Sequence, residues 1–399
     1  MRIKKYFAVA LWFWATVAFY GFLLRWHAYT PLPFIKNYSY WLHAHSHAAF
    51  LGWLHAAFSL LIAYVLFPGR LQSKGFARYY AFMQLMVAAM LVSFPIEGYK
   101  AFSITFLSLF LLGTYIYAYY VFKRNEKAAA YPVTTAFVKT AVVFMLISSL
   151  SPWMLGPVMV FLGKNSIWYN LDVYFYLHFQ YNGWFFLSLL ALIIHLFERK
   201  GIAIPERVWK KSLFWLFTGI FWGYITNTLW TEPPLYFNAV ALLSVVAEGA
   251  GLWILFRYLK KHVHALDLSR WHRRWFQWVV FAIIFKVVLQ FTASCPYYAR
   301  LAYTIRDLVI GYLHWVMLAL FSVALILLAE LNGIARFRKS SFWIFFSGML
   351  LMILWIWMRG WMIWQKIPVT DAVNQVLVWL TLWTFTGVLL LAWDGSRNQ

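Results

Sequence analysis

Long apolar runs alternate along this chain with short clusters of basic and turn-forming residues. Each run has roughly 16 to 30 residues, the length an α-helix needs to cross about 30 Å of hydrocarbon. Stretches such as 101–122 and 235–256 are apolar on every face, which predicts helices and excludes barrel strands with their alternating polarity. Breaks at Pro68-Gly69 and Pro233-Pro234, among others, divide the runs into twelve predicted spans: 6–24, 40–67, 79–94, 101–122, 133–162, 171–197, 213–229, 235–256, 275–291, 308–331, 342–358 and 373–393. The expected fold is an all-α polytopic membrane protein, one membrane domain over 1–399.

Composition agrees with lipid as the main solvent. The chain is 64% hydrophobic, 22% aromatic and only 12% charged, too little polar surface to cover a water-soluble globule. The net charge of +22 does not gather into one soluble patch, so nucleic acid is not an expected partner and membrane lipid is. With twelve spans, 24 of the 34 Lys and Arg fall on the side of the N-terminus and eight on the other, with Lys139 and Lys286 inside spans. The positive-inside bias then puts both termini in the cytoplasm, in a bacterial inner membrane. The basic link around Arg257 to Arg274 is expected at the lipid surface. A single cysteine, Cys295, excludes an internal disulfide or a Cys-rich metal site, which leaves histidine as the abundant ligand for a transition metal.

The histidines are not scattered. The second span opens Tyr40-Trp-Leu-His43-Ala-His45-Ser-His47, with His55 two turns further on; the sixth reads Tyr176-Leu-His178-Phe-Gln-Tyr181; the tenth reads Gly311-Tyr-Leu-His314-Trp315. At about 100° per residue His43 and His47 share a helix face, while His45 points nearly the opposite way, so one helix can serve two centres. Both His47 and His178 begin a His-x4-Gly-Trp pattern. His47, His178 and His314 each follow the start of a span by six or seven residues, and all three spans run inward, which predicts one common depth roughly 10 Å below the outer boundary. A polar ring there is costly unless it is bonded or ligates a cofactor; one such histidine alone would read as an interfacial residue reaching water.

Histidines on spans two, six and ten of twelve resemble the plan of the haem–copper oxidase superfamily, which includes the nitric oxide reductases. Its catalytic subunit has three four-helix arcs with metal ligands near the outer face. The run His45-Ser-His47-Ala-Ala-Phe-Leu-Gly52 is similar to the family's His-x-His followed by glycine. The resemblance implies three pseudo-repeated arcs and one or two haems, b-type by expectation, ligated among His43, His45, His47, His178 and His314. It also implies Arg359 pairing with a propionate, and a second metal, copper or iron, drawn from His45, His47, His178 and His314. The implied activity is reduction of nitric oxide or oxygen with electrons from an outer cytochrome or other donor subunit. In the family His-x-His lies on helix ten and paired histidines on helix seven; here it lies on span two, and span seven has no histidine. The residues leave open a haem or metal sensor or assembly protein without turnover, and a transporter of metal or small solutes.

Ionisable residues inside spans complete the set. Glu248, Lys139 and Lys286 read equally as a proton path or as inter-helix salt bridges. Glu97 with Lys100 reads as an outer solvated pair, and His195, His262, His264 and His272 as solvated residues at the cytoplasmic boundary.

Overall fold

The computed structural model describes residues 2–123 and 126–397; Arg124, one of the basic loop residues, lies outside them. Among the described residues every regular element is helical. Among these residues eleven helices are long and apolar enough to cross a membrane: α1 Arg2–Tyr29, α2 Tyr38–Leu66, α3 Lys74–Glu97, α4 Ala101–Lys123, α5 Pro132–Phe161, α6 Ile167–Glu198, α8 Tyr236–Leu266, α9 Arg270–Ala293, α10 Arg306–Leu331, α11 Lys339–Trp364 and α12 Asp371–Arg397. The predicted seventh span is a shorter helix, α7 Glu206–Gly223, that tightens into a 3-10 segment, Tyr224–Thr231, before Glu232 turns the chain with φ 57°.

Local chemistry sets the helix ends. Asn37, Ser73, Ser166 and Ser269 accept hydrogen bonds from backbone N–H groups of the first turns of α2, α3, α6 and α9. Pro132 starts α5, whose exposed amides are met by a side chain of another helix: Glu198 accepts from Val133 N (3.0 Å), Thr134 N (2.9 Å) and Thr134 Oγ1 (2.6 Å). These caps start α2 and α6 a few residues before the apolar runs begin, and α10 starts early as well. His47 lies nine residues after the first residue of α2, His178 eleven after that of α6 and His314 eight after that of α10.

The chain forms two compact units, Met1–Tyr117 with Leu313–Gln399, and Ala118–Tyr312. In the first, Trp14 of α1 stacks on Trp53 of α2 (centroids 4.7 Å, planes 5° apart), and Phe345 of α11 closes on Trp14 edge-on at 4.9 Å. Trp53 Nε1 donates to Ser322 Oγ of α10 at 2.9 Å, which joins α2 to α10 through a buried pair. In the second unit α7 and α8 meet backbone to backbone. A Cβ on Gly219 would lie 2.5 Å from Glu248 N, and one on Gly251 would lie 2.9 Å from Leu216 N, so only glycine permits this approach.

Three helices differ from the rest. In α2, α6 and α10 the most apolar stretch is 83%, 94% and 78% buried, against 61% or less in every other span. Each is interrupted by a π-helical segment: Ala48–His55, Phe179–Phe185 and Trp315–Ser322. The residue before each segment is His47, His178 or His314. Five residues on stand Gly52, Gly183 and Ala319, small residues in all three. A Cβ on Gly52 would lie 2.9 Å from Val87 Cγ1, and one on Gly183 would collide with Phe144. Every fourth helix thus carries the same local device, a histidine followed by a π segment with a small residue inside it.

Candidate functional site

Two separate polar sites hold the predicted residues, one in each unit. In the first, the α2 histidines sit half-buried near the helix start. His45 Nδ1 lies 2.9 Å from the Val17 carbonyl of α1, and His47 Nδ1 lies 2.8 Å from the His43 carbonyl. A carbonyl only accepts, so in both rings Nδ1 carries the hydrogen and Nε2 holds the lone pair. His47 Nε2 accepts from the Tyr99 hydroxyl at 3.1 Å. His45 packs over Gly21, where a Cβ would lie 3.0 Å from Cε1, so a larger residue on α1 would displace the ring. Among the described residues no hydrogen bond is made to His45 Nε2. His43 stacks edge-on against Tyr99 at 4.6 Å, and His47 packs on Phe94 at 4.5 Å. Tyr99 follows Gly98, whose φ of 66° turns the chain after α3 beside the Tyr40 ring. Glu97, expected as a solvated outer residue, accepts from Ser103 N at 2.7 Å and so caps α4.

His314 stands half-buried on α10 of the same unit, one residue before Trp315, whose ring lies 6.0 Å from Trp357. Arg359, expected in a loop, lies within α11 and donates through Nη1 to Asn374 Oδ1 of α12 at 3.0 Å. His55 is buried edge-on against Phe110 at 5.3 Å.

In the second unit His178 is buried and bonded at both ring nitrogens. Nε2 donates to the Ile220 carbonyl of α7 at 2.8 Å, while Nδ1 accepts from Asn182 Nδ2 (3.1 Å) and Asn227 Nδ2 (2.9 Å). Ile220 lies just where α7 gives way to the 3-10 segment, so the imidazole bonds a carbonyl at a helix break. A Cβ on Gly223 would lie 3.3 Å from the His178 ring, so that glycine gives it room. Ligating a cofactor with His178 requires giving up one of these bonds. Lys286 and Glu248 form a salt bridge between α9 and α8 at 2.8 Å, with side chains 0% and 2% exposed. Lys286 also donates to Gln290 Oε1 at 2.8 Å and lies 4.4 Å over the Phe186 ring. His195, expected to be solvated, is instead buried edge-on against Tyr131 at 4.5 Å, because α6 is covered along its whole C-terminal half.

Among the described residues no three His, Cys, Asp or Glu side chains are grouped closely enough to hold a metal ion. Sequence reasoning did not single out Tyr99, Asn182, Asn227 or Gln290. Asn182 and Gln290 stand four residues after His178 and Lys286, a spacing that puts each pair on one helix face; Tyr99 and Asn227 come from other segments and carry no such signal. No family model matches this chain, and no curated protein matches it.

Proposed function

We propose that this chain is a haem-binding integral membrane protein built on the twelve-helix, three-arc plan that it resembles in the haem–copper oxidase superfamily. The observation that carries the reading is the pair His45 and His47: both rings are fixed through Nδ1–H to backbone carbonyls, which orients an imidazole and raises the basicity of Nε2 as a ligand. The recurrence of histidine and π segment on every fourth helix supports the three arcs, and α7 with its 3-10 extension supplies the twelfth crossing. The residues that would hold b-type haem are His45 through Nε2, and His47 after exchange of its Tyr99 bond, with His314 as the α10 candidate. Arg359 is the candidate for a propionate.

Bound haem would supply a one-electron couple, and with it reduction of a small diatomic, nitric oxide or oxygen, by electrons from an outer donor subunit. The chain's own part is to orient the imidazoles and to exclude water with the aromatic rings of Phe94 and Tyr99. Both termini face the cytoplasm of a bacterial inner membrane in this reading. A second reading, a haem protein used for sensing or assembly without turnover, is favoured by the full engagement of both His178 nitrogens.

Reduced-minus-oxidised spectra of protein purified from haem-replete cells test the proposal. Wild type is expected to show a Soret band that His45→Ala or His47→Ala removes or shifts. Apoprotein with no Soret absorbance refutes it. Turnover of nitric oxide or oxygen by the reduced protein separates the two readings.

A further inference from the structure

The buried polar groups of the second unit are joined in a single direction. Lys286 Nζ donates to Gln290 Oε1 (2.8 Å), Gln290 Nε2 donates to Asn182 Oδ1 (a long 3.5 Å), Asn182 Nδ2 donates to His178 Nδ1 (3.1 Å), and His178 Nε2 donates to the Ile220 carbonyl (2.8 Å). Each amide accepts on its oxygen and passes a donor on from its nitrogen, so every bond points away from the ammonium and reinforces the next. The chain begins at an ion pair enclosed in a membrane-spanning bundle and ends at the carbonyl where α7 breaks. An ionisable pair at such a position is expensive, and a fixed salt bridge alone needs no amide ladder attached to it.

We propose that Lys286 and Glu248 form a proton-exchange site whose state is transmitted to His178 through Gln290 and Asn182. The ligand is a proton, and the site is independent of the haem reading. When Lys286 loses a proton, one Nζ–H bond breaks, the proton leaves to water and the electron pair stays on Nζ. Nζ keeps two N–H bonds, one of them donated to Glu248, and turns its new lone pair toward Gln290 as an acceptor. Gln290 turns its amide to donate to Nζ and presents Oε1 to Asn182; Asn182 turns likewise, donates to Gln290 and presents Oδ1 to His178. With Asn227 also turned, His178 Nδ1 must carry the hydrogen, taken from water as Nε2 returns one to water, with no net change in the ring. Nε2 then no longer donates to Ile220, and α6 is released from the break in α7.

The groups facing the pair are few. Helix α6 presents His178 and Tyr181, and α10 presents Tyr312, whose ring lies 6.1 Å from that of Tyr181; α7 offers Gly219, Ile220 and Gly223, none of them titratable. The tyrosines can pass a proton but do not interrupt the amide ladder.

The full chain in lipid nanodiscs, labelled with ¹⁵N-histidine and studied by solid-state NMR, tests this, with His178 assigned by loss of its signals in His178→Gln. As the pH is raised, wild type is expected to release one proton per chain while the Nδ1 and Nε2 signals of His178 interchange. Gln290→Leu keeps the proton release and loses the interchange. The charge-balanced double variant Lys286→Met/Glu248→Leu, which avoids a lone buried charge should Lys286→Met fail to fold, loses both. The proposal is overturned if wild type shows no interchange, or if Gln290→Leu shows it unchanged.

Discussion

Removing one partner of the Lys286–Glu248 bridge gives the sharpest test of how this bundle tolerates charge. The two side chains are 0% and 2% exposed and their nearest atoms are 2.8 Å apart. Breaking a buried pair by deleting one member leaves the other uncompensated, at a cost of about 3–5 kcal/mol. The two single variants differ in what remains. In Glu248→Leu the ammonium keeps Gln290 Oε1 at 2.8 Å and the Phe186 face at 4.4 Å, so its cost should lie near the lower bound. In Lys286→Met the carboxylate, 2% exposed, loses the ammonium that donates to its Oε1, so its cost should lie near the upper bound. Replacing both by apolar residues of similar volume removes the desolvation cost with the attraction, and the double variant Lys286→Met/Glu248→Leu should return to within about 1–2 kcal/mol of wild type. Unfolding in mixed micelles of rising denaturing-detergent fraction reads these differences. A loss of about 4 kcal/mol corresponds to nearly a thousandfold in the folded-to-unfolded ratio. Additive single-variant costs in the double variant would refute the reasoning, because they would mean that each group is stabilised by something other than its partner.

Other expectations follow from single contacts. Gly219→Ala should destabilise by about 1–3 kcal/mol or more, since its Cβ meets backbone atoms of α8 that have no side-chain freedom, whereas Gly249→Ala, with nothing within 4 Å, should be neutral or stabilising by up to about 1 kcal/mol; parallel thermal melts compare them. Asp394→Ala should cost about 1–3 kcal/mol because it strips the Arg338 backbone N–H and Nε of a buried acceptor, while Arg338→Ala, on a side chain 60% exposed, should cost less than about 1 kcal/mol. Tyr99→Phe removes the hydroxyl that donates to His47 Nε2 and should cost about 0.5–1.5 kcal/mol; in haem-replete preparations it should retain the Soret band that His47→Ala alters. The exposed Cys295, the single cysteine of the chain, should react with a membrane-impermeant maleimide added outside intact spheroplasts, and labelling only from the inside would reverse the proposed orientation.

The helices were legible because lipid imposes a simple rule, about twenty apolar residues per crossing, and the structure returns eleven of the predicted spans as long apolar helices. The seventh was harder. Its segment ends in Tyr224–Thr231, whose polar Asn227 and Thr228 lower its hydropathy, and its geometry depends on a contact from another helix, the His178 bond to Ile220. The histidine positions were legible as a periodic set, but ring chemistry was not: whether a nitrogen is available is decided by Val17, Tyr99, Asn227 and Ile220, none near in sequence to the histidine that it meets.

The π segments show why one reading of the pattern succeeded and another did not. The shared His-x4-Gly-Trp of α2 and α6 was visible as a string, yet α10 has His314 followed by Ala319 and Leu320 and does not match it. What all three share is geometric. A π segment adds one residue to the turn and shifts the faces beyond it, so the helix after the histidine presents a different stripe from the one a 3.6-residue period implies. Neighbours press on the widened turn at Gly52 and Gly183, and the corresponding position of α10 holds the buried, small Ala319. The repeat is therefore conserved within the chain as packing rather than as letters. Substituting the α2 glycine tests whether the device matters for the site: Gly52→Val pushes on Phe13 and Val87, the neighbours that hold the π segment after His47, and should disturb His47 before it disturbs the capped start of α2 at Asn37. Equal loss of hydrogen-exchange protection at both ends of α2 in that variant would show that the π segment is an incidental irregularity of a uniformly packed helix.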